Sequence, residues 1–200
     1  MRQLWLASAS PRRADLLHSI GVAFRHLVPP DIDETPRPEE SADRYVLRMA
    51  YEKARTGWMR LADEVRHDAA VLGADTTVVL AGRLLGKPAD ADDARAMLTA
   101  LSGAEHQVLS AVTVITAEGE NSALSTTRVR FATLSAADIE AYVTSGEPMD
   151  KAGSYAIQGF GALLVEAITG SYSGVVGLPL RETGQLLQAA GVPAWQERSS

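Results

Sequence analysis

Asp75 is a carboxylate set where the surrounding residues favour burial. It lies in Val-Leu-Gly-Ala-Asp-Thr-Thr-Val-Val-Leu, residues 71–80, a run otherwise suited to a covered strand. A carboxylate taken out of water is costly unless it is paired, hydrogen-bonded or bound to a metal. Two arrangements would satisfy it: the amides of a neighbouring loop, or a divalent ion that prefers oxygen ligands, Mg2+ or Mn2+. Side chains alternate along a strand, so only one of Thr76 and Thr77 can share the Asp75 side.

A second cluster is Ser-Ala-Ser-Pro-Arg-Arg over residues 8–13. Ser10-Pro11 is a helix-start signal, with Ser as N-cap and Pro in the first helical position. Arg12 and Arg13 then fall in the first turn, where the helix dipole prefers anions. They are either two solvated side chains or part of a cradle in which amides, hydroxyls and guanidinium forks converge on phosphate. Three further stretches could add to such a cradle. The acidic loop Asp-Ile-Asp-Glu-Thr at 31–35 offers carboxylates, and Gly86-Lys87-Pro88 puts an ammonium directly after a hairpin. The glycines of 150–161 allow close backbone approach, and Gln158 can both donate to and accept from a base edge. Taken alone, the acidic loop reads as solvated and the 150–161 segment as a plain connecting loop. Lys53 lies in a helix with nothing local to set it apart from a surface lysine. His18, His26, His67 and His106 show no metal-ligand spacing and read as structural.

These side chains need a scaffold. The proportions of apolar (46 %) and charged (22 %) residues suit a folded core, and 200 residues fit one large domain or two small lobes. A net charge of −6 with scattered Lys and Arg argues against nucleic acid or an anionic membrane as partner and for a small anionic ligand in a local pocket. Without cysteine there is no disulfide, no thiolate zinc site and no cysteine nucleophile. The N-terminal apolar run is too short for a signal segment and no stretch is long enough to span a membrane, so the expected location is the cytoplasm.

The periodicity predicts a strand over 4–9, a helix over 10–21, an irregular proline- and charge-rich segment over 28–40, and a long helix over 41–63. A strand over 71–80 should turn back at Ala81-Gly82 into Leu84-Leu85. Asp90 should cap a helix ending at Leu101, and β-rich stretches follow over 107–116 and 122–133. Ser135 with Asp138 resembles a capping box for a helix to Thr144. Residues 146–161 are loop-rich, 163–168 a strand, 179–190 a last helix, and the tail after Pro193 loosely held. Strands alternate with helices but some neighbours are hairpins, which predicts an α/β fold with a mixed, twisted sheet and flanking helices.

Taken together, these segments resemble the Maf family of nucleotide pyrophosphatases. The resemblance spans nearly the whole chain as one domain over 1–200. Its motifs occur in order over 6–13, 33–34, 52–54, 73–78, 86–88, 101–106, 146–153, 157–159 and 175–179. It implies two lobes around a central cleft, similar to the inosine-triphosphate pyrophosphatase fold, and commonly a homodimer. It also implies hydrolysis of a nucleoside triphosphate between the α- and β-phosphates with Mg2+ or Mn2+. On that pattern Asp75 is the general base, and Glu34, Lys53 and Lys87 complete the catalytic set. Glu34 and Asp75 would be metal ligands. Arg12, Thr76 and Gln158 would govern base choice, and Ser8 and Arg13 would contact phosphate. The Ile-Gln-Gly form at 157–159 is similar to the branch acting on dTTP and UTP. The alternatives are a 7-methyl-GTP pyrophosphatase, in whose branch Glu takes the Gln158 position, or a non-catalytic nucleotide-binding regulator of septum formation. Gly174 departs from the larger residue found in many relatives, which puts the local loop geometry in question.

Overall fold

In the computed structural model, which describes residues 1–27 and 31–195, the chain begins with strand β1 (Gln3–Leu6), helix α1 (Pro11–Ser19) and the short strand β2 (Phe24–His26). Helices α2 (Ala42–Met59) and α3 (Asp63–Arg66) lead to β3 (Ala69–Leu80), which turns back as β4 (Arg83–Leu85). Next come α4 (Ala91–Leu101), the long strands β5 (Glu105–Thr116) and β6 (Gly119–Phe131), and α5 (Ala136–Thr144). Three 3₁₀ turns (Glu147–Asp150, Ala152–Ser154 and Gly159–Leu164), strand β7 (Val165–Thr169) and helices α6 (Tyr172–Val176) and α7 (Leu180–Ala189) complete it.

Among the described residues all seven strands form one sheet in the order β2-β1-β3-β5-β6-β7, with β4 hydrogen-bonded to β3. β1 pairs in parallel with β2 and β3, and the remaining pairs are antiparallel. The sheet is therefore mixed, as the interleaving of helices and hairpins predicts.

Local chemistry accounts for most boundaries. The side chains of Ser41 and Asp90 accept from the amides of Arg44 and Asp93, and Ser135 with Asp138 forms a reciprocal capping box. The β3–β4 turn has Ala81 at φ 47° and Gly82 at φ 79°, the left-handed pair that a two-residue hairpin requires.

Some boundaries differ from expectation. The first strand ends at Leu6 rather than Ala9, because Ser8 turns inward to accept from the Ser10 amide (3.2 Å) and the Arg13 guanidinium (3.1 Å). The long helix stops at Met59 rather than near 63, where the Arg66 guanidinium binds the terminal carbonyls of Trp58 and Met59. Strand β2 and helix α6 carry too few residues for periodicity to reveal. The predicted irregular segment shows no helix or strand over 31–40; its first residues, 28–30, and the end of the tail, 196–200, lie outside the described residues.

Two core clusters meet β3 at opposite ends. Leu72 and Ala74 pack with Leu17, Leu178 and Leu187, whereas Val78 packs with Leu98, Leu101, Phe131 and Tyr155. Between them β3 is open on one side. β1 pairs with β3 only as far as Leu72, and β4 begins only at Val78. Among the described residues, 73–77 thus have a strand neighbour, β5, on one side alone, and this leaves a notch in the sheet. Above it, α2 approaches β3 closely. A Cβ on Gly73 would lie 2.4 Å from both the Ala50 carbonyl oxygen and the Ala54 amide nitrogen, so only glycine lets the helix settle there.

In the second cluster His106 is 2 % exposed, with Nε2 2.8 Å from the Tyr155 hydroxyl and Nδ1 without a partner among the described residues. Burial pushes this imidazole down to about 4. The unfolded chain, titrating near 6.5, binds more protons between these values, so the stabilisation is complete above about pH 6.5 and is lost as pH falls towards 4. The expected loss is about 3 kcal/mol by pH 4. Melting temperatures between pH 7 and 4.5 should fall in the native protein and fall much less in His106→Gln. An equally steep decline in the variant would assign the acid sensitivity to other groups.

Candidate active site

The notch opens into a cavity of about 730 Å³, within the roughly 300–1,000 Å³ of small-ligand sites. Asp75 lines it and faces α2, on the same side of β3 as Gly73. Lys53, the next residue to the close-packed Ala54, reaches across, and its Nζ lies 2.7 Å from Asp75 Oδ1 and 2.7 Å from Glu34 Oε1. One ammonium therefore joins two carboxylates that are 41 residues apart in the chain, from the loop and from the strand. Burial opposes the charge on Glu34, but the Lys53 hydrogen bond and the charges of Lys53, Lys87 and Arg13 outweigh it and bring the carboxyl below its ordinary value.

The loop that carries Glu34 is strapped to α2. Arg48 grips Glu40 through two bonds of 2.7 Å and donates to the Thr35 carbonyl at 3.1 Å. The Tyr45 hydroxyl donates to the Glu34 carbonyl at 3.0 Å. Burial, with the nearby charges of Asp75 and Glu34, pushes this phenol up to about 12, so Tyr45 stays a neutral donor.

On the opposite face of β3, Thr76 Oγ1 lies 2.9 Å from Ser110 Oγ and 3.3 Å from the Gly177 carbonyl. The same carbonyl accepts from Arg13 Nε at 2.9 Å. Burial lowers the pKa of Arg13 and the Asp75 carboxylate opposes that shift. Thr77 is the neighbour that shares the Asp75 face, but the missing strand beside residues 73–77 lets both faces border one cavity. Gly174 fits without distortion: its carbonyl accepts from Ser110 Oγ at 2.6 Å and its amide donates to Ser171 Oγ at 3.0 Å.

Helix α1 points its first turn at the same space. Ser10 holds the N-cap position, yet its side chain makes no capping bond and the first turn contains no acidic residue. Those amides remain available to an outside anion, which is the arrangement that favours phosphate at a helix start. Lys87 extends from the end of β4, in a segment tied to the 150s by the bond from the Gly153 amide to the Gly86 carbonyl, 3.0 Å.

The nine positions to which the resemblance assigns a role border this one cavity, Ser8, Arg12, Arg13, Glu34, Lys53, Asp75, Thr76, Lys87 and Gln158, whereas Asp31 and Asp33 of the acidic loop do not. Tyr45, Asp150, Lys151, Tyr155 and Gly177 border it too and were not proposed as site residues. The signal for Tyr45 was present, since positions 45, 49 and 53 form one stripe along a helix. The Gly177 carbonyl carries no side-chain signal. Among the described residues no group of three or more acids or histidines is placed to hold a metal unaided. No helix of the described residues is long and apolar enough to cross a membrane.

The chain is 56 % identical over 194 residues to a dTTP/UTP pyrophosphatase of Alcanivorax borkumensis, covering 96 % of this chain and 98 % of that one. It is 53 % identical to the protein of the same name in Nitrosomonas europaea, covering 94 % and 95 % of the two chains. A looser likeness links it to the crystal structure of nucleoside-triphosphatase / dITP/XTP pyrophosphatase from Mycobacterium abscessus, with TM-score 0.42 and 18 % identity over 94 % of this chain and 93 % of that chain. The profile of Maf-like proteins matches residues 3–190, nearly the full length, and on these grounds the chain belongs to the Maf-like protein family.

Proposed function

We propose that this protein hydrolyses dTTP and UTP to the nucleoside monophosphate and pyrophosphate. The observation that carries this reading is Lys53 held 2.7 Å from both Glu34 and Asp75, opposite the uncapped start of α1 and Arg13. Acid and base groups and anion donors thus converge on one small space. The names of the relatives, dTTP/UTP pyrophosphatase, specify the substrate class.

In this reading the triphosphate tail lies against the α1 amides, Arg13, Lys53 and Lys87, and the base lies towards Arg12, Thr76 and Gln158. A water molecule attacks the α-phosphorus and gives its proton to the Asp75 carboxylate. A new bond forms between phosphorus and the water oxygen as the bond from the α-phosphorus to its bridging oxygen breaks. The electron pair leaves with pyrophosphate, whose growing charge Lys87 and Arg13 offset.

Glu34 and Asp75 fit a divalent cation as a pair of oxygen donors. Mg2+ is commonly held by one or two carboxylates together with substrate phosphates rather than by a full protein cage. When bound, Mg2+ or Mn2+ would polarise phosphate oxygens and help neutralise their charge.

The test is a panel of canonical triphosphates and 7-methyl-GTP, assayed for pyrophosphate with Mg2+ or Mn2+ and again with EDTA. The expected result is fastest release from UTP and dTTP, abolished by EDTA. Saturable nucleotide binding with no pyrophosphate from any member of the panel would leave a binder rather than an enzyme.

A further inference from the structure

We infer that Glu147 is the positioning residue for base selection, because its carboxylate closes the turn on which Gln158 stands. The inference rests on the proposed function and concerns a residue that does not border the cavity. Glu147 Oε1 accepts from the Gly161 amide at 2.9 Å and from the Tyr142 hydroxyl at 2.9 Å, and Oε2 accepts from the Phe160 amide at 3.1 Å. The Tyr142 oxygen in turn accepts from the Ala156 amide at 3.1 Å. Backbone on both sides of Gln158 is therefore tied, directly or through one phenol, to a single carboxylate.

The fit leaves no slack. Gly159 has φ +72°, and a Cβ there would lie 2.5 Å from Glu147 Oε2. A Cβ on Gly161 would lie 2.2 Å from the Ala156 carbonyl oxygen. Gln158 itself is exposed. With no side-chain bond of its own among the described residues, it owes its place in the cavity wall to the backbone beneath it. Burial works against the charge of Glu147, but the Gly161 and Phe160 amides, Tyr142 and Lys151 outweigh it and hold the carboxyl below the usual range. The bonds are thus charge-assisted, the stronger kind.

Glu147→Gln keeps the shape but replaces one acceptor oxygen with a donor that faces a backbone N–H. The kcat/KM ratio of UTP to GTP is expected to fall on the order of tenfold, mainly through a higher KM for UTP, since the reacting phosphate end is untouched. The same substitution made in a Gln158→Ala background should change the ratio no further. A kcat that falls equally for both substrates at an unchanged ratio would make Glu147 merely structural and overturn the inference. So would an undiminished effect in the Gln158→Ala background. If Glu147→Gln does not fold, Tyr142→Phe, which removes only the bridging hydroxyl, should lower the ratio in the same direction by less, and an unchanged ratio there overturns the inference.

The proposed function fails separately, if the native protein releases no pyrophosphate from UTP. Amide exchange then decides the local claim. In the Glu147→Gln or Tyr142→Phe protein, protection lost at 156–161 alone supports it, and protection unchanged at Phe160 and Gly161 refutes it.

Discussion

Asp75→Asn is expected to slow pyrophosphate release from UTP by about 10³-fold, the range of general-base catalysis, while the protein stays folded. The amide has the size of the carboxylate and its oxygen can still accept from Lys53, whose other partner, Glu34, is unchanged at 2.7 Å. What it lacks is the ability to take a proton from water. Asp75 is 9 % exposed, so the substitution removes a buried charge and also one of the two carboxylates that pair with Lys53, two effects of opposite sign. The melting temperature should therefore move by only a few degrees, about 2–4 °C for each kcal/mol in a chain of this size. Turnover and melting must be measured on the same preparation. Activity within tenfold of the native protein, in a folded variant, would take Asp75 out of the proton transfer.

Gly73→Ala should be severely damaging for a single added methyl group. The added carbon would lie 2.4 Å from two backbone atoms of α2, and no side-chain rotation can relieve that contact. Helix and strand must separate at the point where Ala50 and Ala54 are fully buried. Overpacking of this kind costs about 3 kcal/mol, or roughly 6–12 °C of melting temperature. Lys53 adjoins Ala54, so the displacement also lengthens its contact with Asp75, and a misplacement of about 1 Å can cost on the order of 10²-fold in rate. Calorimetry and UTP kinetics on the variant check both halves. Native melting would show that α2 does not press on β3 as described.

The sequence revealed most where the signal was local. Asp75 stood out because its neighbours are apolar, and Asp90, Ser135 and the Ala81-Gly82 turn announced themselves through capping and turn chemistry. Lys53 did not, because a helical lysine looks like a surface residue until the partner strand is known. Only the family resemblance raised it, and the resemblance likewise lifted Gln158 out of a segment that alone reads as a plain connecting loop. Tyr45 shares a helical stripe with Lys53 and becomes legible once Lys53 is raised, whereas the Gly177 carbonyl was invisible because a backbone group has no residue type. The early end of β1 was misread because Ala7 to Ala9 keep a strand-like composition although Ser8 is engaged with Arg13. Pairings such as Glu147 with Phe160 and Gly161 require the intervening chain to fold back first, and no periodicity encodes that.

Because the open edge of β3 exposes alternate faces to one space, the pleat itself assigns Asp75 to the helix side and Thr76 to the Gly177 side. An insertion or deletion of a single residue earlier in this strand would exchange those two side chains at once. The ladder with β5, continuous from Ala70 to Val79, stands against such a slip. Length changes should therefore be tolerated at the β5–β6 turn, near Glu118, and be lethal to function between Ala69 and Gly73, a pattern that a scan of single-residue insertions would reveal.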